Sequence, residues 1–537
     1  MLKKKKISDS LLKWNYFPIQ KKNREEIPPV FNSSSFNEGV ATLLCNTKSR
    51  LGGYDQVEYR ATRFNNVPRS LSIPHPQPYA KLCLEIQSNW NVISTIEGNQ
   101  SSIIRPHPHK DGRIIIMDYE SSQRSSHRHL NKSLGMRFLV HTDISNFFNS
   151  IYTHAIPWAL VGFDQAKKNK QAHGEWYNKL DKYQRQCKRD ETMGVPIGPA
   201  TSNVFAELIL QRIDEKLRNM NFSFIRYIDD YTAYCSSNEQ AEDFILKLSQ
   251  ELKRYKLTLN LKKTHILQLP EAISVDWVAD LSTRCPKSKK INCHDVIRYL
   301  DYALSIQRKT PDGSVLKFAV KTISSKVDTA AKLSLAKYAL SLAFHYPVII
   351  PLLDKLIIGL HRTDGFNLEG KLLKLLTESI RASRSDGISW SLYLLKKHCT
   401  ARVSDSIANQ IVATADCFSI TMLYLLGGHE EKVITFASQI TRQDLFAIDA
   451  QWLLLYQLFF DGKISNPYSN SALYSDLRGG RENEVDAMRR EIQCFEILKR
   501  KNVSFINTSY LRQASKMSFK ALLLKLAFTR IRKNIGI

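Results

Sequence analysis

No two cysteines stand in a Cys-x-x-Cys step anywhere in the 537 residues, although nine are present: Cys45, Cys83, Cys187, Cys235, Cys285, Cys293, Cys399, Cys417 and Cys494. The chain therefore lacks the usual ligand spacing of a zinc site, and single scattered cysteines are no disulfide framework. A reducing cytoplasm fits. Nor is there an uncharged apolar run of about 18 residues, so no membrane span is expected. The start Met1-Leu-Lys-Lys-Lys-Lys-Ile7 is basic, but no apolar stretch follows it, and it does not read as a secretion signal. Acid is also in short supply, with 51 acidic residues against 77 basic ones and a net charge of +26. An excess of that size favours polyanions, nucleic acid first among them. The hydrophobic share of 43% and charged share of 24% are those of a globular chain. Its length exceeds one ordinary core, which sets an expectation of two or three domains.

Three regions can be told apart. Residues 1–70 mix a basic start with Pro28-Pro29, Asn32-Ser-Ser-Ser35 and Gly52-Gly53 and show no sustained period, so they read as an irregular extension. Residues 71–290 alternate short β-like runs with helical patterns, the signature of a mixed α/β domain. Residues 291–537 are a succession of amphipathic helical patterns. In one of them Leu335, Tyr338, Ala339, Leu342 and Tyr346 share a face and stop before Pro347. Stacked helical pairs or one irregular bundle would bury such stripes.

The chemistry concentrates in four segments. Phe138-Leu-Val-His-Thr-Asp143 reads as a strand that delivers Asp143 at its end, where a rigid element holds a metal ligand well. A lone acid there is more often a turn cap. Phe222-Ser-Phe-Ile-Arg-Tyr-Ile-Asp-Asp-Tyr-Thr-Ala-Tyr-Cys235 reads as a hairpin with Asp229 and Asp230 at its tip. Buried strands tolerate adjacent carboxylates only when a cation neutralises them. Asp143 and Asp229 lie 86 positions apart (229 minus 143), so they meet only if their strands share a sheet. Three carboxylates so placed would hold two magnesium ions that activate a 3′-hydroxyl and stabilise leaving pyrophosphate. Between them, Gly194-Val-Pro-Ile-Gly-Pro-Ala-Thr-Ser202 is a loop feeding a helix capped by Thr201 or Ser202. Finally, Leu257-Thr-Leu-Asn-Leu-Lys-Lys-Thr264 presents Lys262 and Lys263 on a turn, suited to protonating pyrophosphate or steadying phosphates.

Taken in order, these segments resemble the palm motifs of reverse transcriptases, over roughly residues 71–270. The resemblance implies an α+β fold class, with fingers and palm over 71–290 and an all-α, HEAT-like C-terminal domain over 291–537. Asp143 and Asp229 would be the principal ligands and Asp230 a supporting one, for Mg2+ with Mn2+ as the alternative. Phe148 matches the bulky side chain that excludes a ribose 2′-hydroxyl. Gly198 matches the glycine of the loop motif, and Lys263 the lysine of the Lys-Thr turn. In the fingers, Lys110, Arg113, Arg124 and Arg128 are candidates for contacts to triphosphate and template phosphates. One departure stands out: Pro196-Ile197-Gly198 replaces Pro-Gln-Gly, and an Ile makes no hydrogen bond to a template strand.

Beyond residue 291, Tyr338-Ala-Leu-Ser-Leu-Ala-Phe-His-Tyr-Pro-Val-Ile-Ile-Pro351, Ser385-Asp-Gly-Ile-Ser-Trp390 and Ala415-Asp-Cys417 are similar to bacterial abortive-infection (Abi) reverse transcriptases of the AbiK-like group. That resemblance implies a bacterial, cytoplasmic enzyme of anti-phage defence. It would polymerise deoxynucleotide triphosphates without a template from a tyrosine hydroxyl, keep its DNA product covalently attached, and work as a homo-oligomer. Which of the 22 tyrosines would prime is not readable from sequence. Two rival readings are an RNA-templated reverse transcriptase with a partner non-coding RNA and a nucleic-acid-binding scaffold with a degenerate palm.

Overall fold

The computed structural model describes residues 4–19, 25–63, 67–117, 122–272, 275–288, 290–311, 314–359, 366–399, 402–477 and 484–511. Strands β1 (Gln56–Thr62) and β2 (Pro68–Pro74) form an antiparallel pair of their own. Strands β3 (Phe138–Asp143), β4 (Ser223–Tyr227), β5 (Asp230–Cys235) and β6 (His265–Gln268) make an antiparallel sheet in the order β4-β5-β3-β6. Two long helices meet this sheet: Ala200–Asn219 is tied to it where Glu207 and Asp214 accept from Arg226 and Tyr231, and Asn238–Arg254 packs on β3 and β5. The second buries Ala241, Phe244, Leu248 and Leu252, one stripe at helical spacing. Its Phe244 ring meets Phe222 and Phe224 at 5.3 and 5.9 Å, which pins the helix to β4.

From Asp276 onward the described regular structure is helical. Helices Cys293–Lys309, Thr329–His345, Leu368–Arg381, Asp405–Ala413 and Glu430–Ile440 each pack on the next of that series. Helices Ile350–Leu356, Ser385–His398, Cys417–Leu426 and Trp452–Phe460 form a second file behind it. A helix that leans on both its sequence neighbour and the helix after that buries an apolar stripe wider than one partner would cover.

The N-terminal stretch differs from its reading as an irregular extension. Lys4–Asp9 is an α-helix that runs into a π-helical turn, Ser10–Trp14, and Glu38–Cys45 is a helix capped by the Asn37 side chain. Ile7, Leu11, Leu12 and Tyr16 are fully buried. The wider π-turn shifts the apolar face within one turn, so no regular 3.6-residue period survives in the sequence. The reading also placed a boundary at residue 70, inside β2. This strand and its partner instead seat on the C-terminal helices: Asp386 accepts hydrogen bonds from Thr62 N and Oγ1 at 2.7 and 2.8 Å, and Trp452 Nε1 donates to Ile73 O at 3.2 Å. Trp452 in turn lies 5.1 Å from Phe505 and 6.3 Å from Tyr16, so the first and last described segments share core.

Candidate active site

Register decides what the palm sheet brings together. Asp143, the last residue of β3, is paired directly with Asp230, the first of β5. Directly opposed residues on antiparallel strands carry their Cβ atoms about 5 Å apart on one face. Two carboxylates are thus held side by side by backbone pairing alone. Tyr227 pairs with Asp230, leaving Ile228 and Asp229 as a two-residue turn. Ile228 adopts φ 58°, a left-handed conformation that a β-branched residue takes only under strain, at a cost of about 1–3 kcal/mol. Arg226 restrains that turn by donating from Nη1 to Ile228 O at 2.7 Å. The adjacent backbone is tied across the sheet, with Ile144 N donating to Asp229 O (3.2 Å) and Asn260 N to Asp143 O (2.8 Å).

The carboxylates feel one another. Burial pushes Asp229 up to about 6, with the charges of Asp230 and Asp143 adding to the effect. Asp230 is raised by burial and by Asp143, against the pull of Lys263. Lys263, on the short helical turn Leu261–Lys263, donates to the Asp143 carboxylate and bridges it ionically. Among the described residues no three His, Cys, Asp or Glu side chains close into a ready-made metal cage. The donor set nevertheless fits a hard divalent cation: it is all oxygen, it carries excess negative charge, and such ions keep open positions for substrate phosphates. The burial, and with it the repulsion, that raise Asp229 are what a bound cation would relieve.

These groups open on a cleft of about 1140 Å³. Asp143, Asp229, Asp230, Lys263, Phe148, Ile197 and Tyr227 all line it. Phe148 is 7% exposed and packs against Phe147 at 5.2 Å. The remaining predicted residues lie elsewhere. Gly198 has φ 142°, and a Cβ there would come within 2.8 Å of Pro18 and 3.2 Å of Ser72 O, so its role in this structure is close packing between the N-terminal segment and β2. Arg113 was expected to contact phosphates, but it is fully buried and spent on Asp111 (2.7 Å) and Ile19 O (3.0 Å). Lys110 is exposed on the neighbouring turn, off the cleft wall. Arg124 and Arg128 sit on helix Ser122–Ser133, also off it. The expected cap at Thr201 or Ser202 is corrected too: the helix starts after Pro199, and Ser202 Oγ donates back to Pro196 O at 2.6 Å.

The cations that do reach the cleft went unread. Arg63 and Arg69, at the open end of the β1–β2 pair, line the same cleft as the acids. Burial lowers Arg69, as does Arg63, while Asp229 pulls the other way. Alternation of Val57 and Tyr59 with polar neighbours was the signal for β1.

Strand-end carboxylates and basic side chains therefore share one cleft. Residues 79–302 match the family model for reverse transcriptase (RNA-dependent DNA polymerase), so this part of the chain is a reverse transcriptase domain. No curated protein matches the sequence. Among solved structures, apo telomerase from Candida tropicalis truncated from its C-terminal domain is 14% identical, with a TM-score of 0.29 over 42% of this chain and 52% of that one. Apo telomerase from the same organism is 10% identical, with a TM-score of 0.29 over 71% and 69% of the two chains. Telomerase from Candida albicans in complex with a TWJ fragment of telomeric RNA is 10% identical, with a TM-score of 0.28 over 74% and 67%. The match spans about half the length of the first of these (52%). No described helix is long and apolar enough to cross a membrane.

Proposed function

We propose that this chain is an anti-phage DNA polymerase of the reverse-transcriptase type that joins deoxynucleotides without a template, starting from one of its own tyrosine hydroxyls. The observation that carries the polymerase reading is the single cleft that gathers Asp143, Asp229, Asp230 and Lys263 with Arg63 and Arg69. Mg2+, or Mn2+ in its place, would be held by the three aspartates and would neutralise charge on the transferred phosphate. Lys263 supplies a proton or a fixed positive charge beside the leaving pyrophosphate. Arg63 and Arg69, lining the same cleft, hold the triphosphate. The rigid sheet supplies positioning, which is most of what phosphoryl transfer requires of a protein.

Template independence draws on Ile197, an apolar side chain on the cleft wall where a glutamine would meet a template base pair. The defence role draws on the resemblance of the C-terminal segments to AbiK-like proteins, and the two files of helices fit a HEAT-like stack. Ile297, Phe344 and Ile358 are exposed on that stack and suit a homo-oligomer contact within the bacterial cytoplasm. Tyr16, Tyr54, Tyr59, Tyr79, Tyr231 and Tyr234 are buried, so their hydroxyls are not primers in this fold.

The test is to give purified protein Mg2+ and labelled deoxynucleotides alone. Label that stays with the polypeptide through denaturation and is released by nuclease supports the reading; a strict need for added RNA favours a templated enzyme with a partner RNA instead. Phe148→Ala is expected to raise ribonucleotide incorporation relative to deoxyribonucleotide by about tenfold or more, since steric exclusion of one hydroxyl is worth a few kcal/mol. Competing rNTP and dNTP incorporation measures it, and an unchanged ratio removes Phe148 from that role.

A further inference from the structure

We propose that Lys317 and Lys321 form a phosphate-binding pair on the wall of the active-site cleft, which the Glu25 carboxylate covers until a phosphate displaces it. The proposal rests on the polymerase reading for its substrate, but on different residues for its evidence. Both lysines stand on helix Ser314–Ser324, four positions apart and so on one face. The opposite face is committed to the core through Val315, Leu316, Ala319, Val320 and Ile323, which fixes where the two ammonium groups point. Each lies 2.8 Å from the same oxygen, Glu25 Oε2. Burial pulls the Glu25 carboxyl upward, yet Lys317 and Lys321 outweigh it and hold it below the usual range.

Charge and place single the cluster out. Two cations share one carboxylate, so the cluster keeps a net positive charge where it meets the cleft. Its side chains are 13%, 18% and 34% exposed for Glu25, Lys317 and Lys321, which makes the pairing stronger than a surface bridge and still open to solvent exchange. Glu25, Lys317 and Lys321 all line the cleft that holds Asp143, Asp229 and Asp230. Glu25 and Lys321 also line a second cavity of about 780 Å³, whose wall carries Lys13, Lys355 and Lys397 with Asp354; Lys397 pairs with Asp354 at 2.8 Å and Lys13 with Asp9 at 2.9 Å. The ion pair therefore stands where the cleft with the three aspartates meets a second cavity. A carboxylate oxygen shared by two lysines is the arrangement a phosphate oxygen would adopt, and a phosphodiester carries the same single charge.

The phosphate belongs either to a single-stranded nucleic acid passing between the two cavities or to the incoming triphosphate, and binding experiments separate the two. Fluorescence anisotropy of labelled dT20, and separate titration with dTTP, would be run without divalent metal on the full chain. For strand binding, Lys317→Gln/Lys321→Gln is expected to weaken dT20 about tenfold and to reduce the dependence of log K on log salt by about 1.4, the value for two lost single-strand phosphate contacts. Glu25→Gln is expected to tighten it severalfold, because it removes the competitor and leaves both lysines. If only dTTP affinity follows these changes, the pair serves the triphosphate. Unchanged affinity of both probes in Glu25→Gln, which keeps the side-chain shape, overturns the proposal even if the double variant fails to fold. Should the wild type bind dT20 through these lysines but incorporate no nucleotide, the phosphate site stands and the polymerase reading fails.

Discussion

Asp229→Asn and Asp143→Asn are each expected to reduce nucleotide incorporation by about a thousandfold or more, because each removes a full negative charge from a site whose chemistry is charge neutralisation. The same Asp229 substitution is expected to stabilise the metal-free protein. Asp229 titrates at about 6 in the fold against an ordinary 3.8, because it is buried beside Asp230 and Asp143. A carboxyl raised on folding binds its proton more tightly in the native state. Its contribution to stability therefore falls as pH rises from about 4 to about 6, and the penalty is complete above that window. The gap corresponds to at most about 3 kcal/mol. Without metal at pH 7.5, Asp229→Asn should melt above wild type; at pH 4 the difference should vanish. Magnesium should raise the melting point of wild type and do far less for the variant. A less stable variant at pH 7.5 would mean that burial beside the other two acids does not penalise the Asp229 charge.

The acids were legible because local signals agreed with the fold. An apolar strand ending in an acid, and aromatic half-strands around Asp-Asp, have few ways to be buried, and antiparallel pairing then joins Asp143 to Asp230. The finer placement was not legible. The hairpin tip was read as Asp229-Asp230, whereas the turn is Ile228-Asp229 and Asp230 already belongs to β5, because nothing in a β-branched isoleucine announces a left-handed backbone. Cations were the weakest point. Arg113 and Arg69 look alike in a sequence with 77 basic residues, and only tertiary packing buries the first against Asp111 and turns the second to the cleft. Lys317 and Lys321 lie beyond the matched reverse transcriptase segment and reach the cleft through helix packing alone. The helical character of the region after 291 was readable from its period, but its arrangement in two files depends on which stripes meet.

Arg226 should prove the residue outside the cleft on which the catalytic hairpin most depends. Its guanidinium is fully buried and donates to Glu207 at 2.8 and 3.0 Å, to Asp214 at 2.8 and 3.0 Å, and to the Ile228 carbonyl at 2.7 Å. Asp214 also accepts from Tyr231 Oη at 2.9 Å and Asn99 Nδ2 at 2.7 Å, so the network ties β4, β5, helix Ala200–Asn219 and the 99–103 segment into one unit. Burial raises Glu207, and Arg226 opposes that rise. Arg226→Met strands two buried carboxylates and is expected to cost about 3–5 kcal/mol in chemical denaturation. Replacing Arg226, Glu207 and Asp214 together by Met, Met and Leu should recover part of that stability, since no buried charge is left unpaired, although Tyr231 Oη and Asn99 Nδ2 lose their acceptor. Activity should not recover with it. The Ile228 carbonyl would still lack its donor, and a strained turn without an anchor lets Asp229 wander from its partners. A triple variant that regained both stability and incorporation would show that the network serves the fold alone; one that regained only stability would show that Arg226 positions the acids.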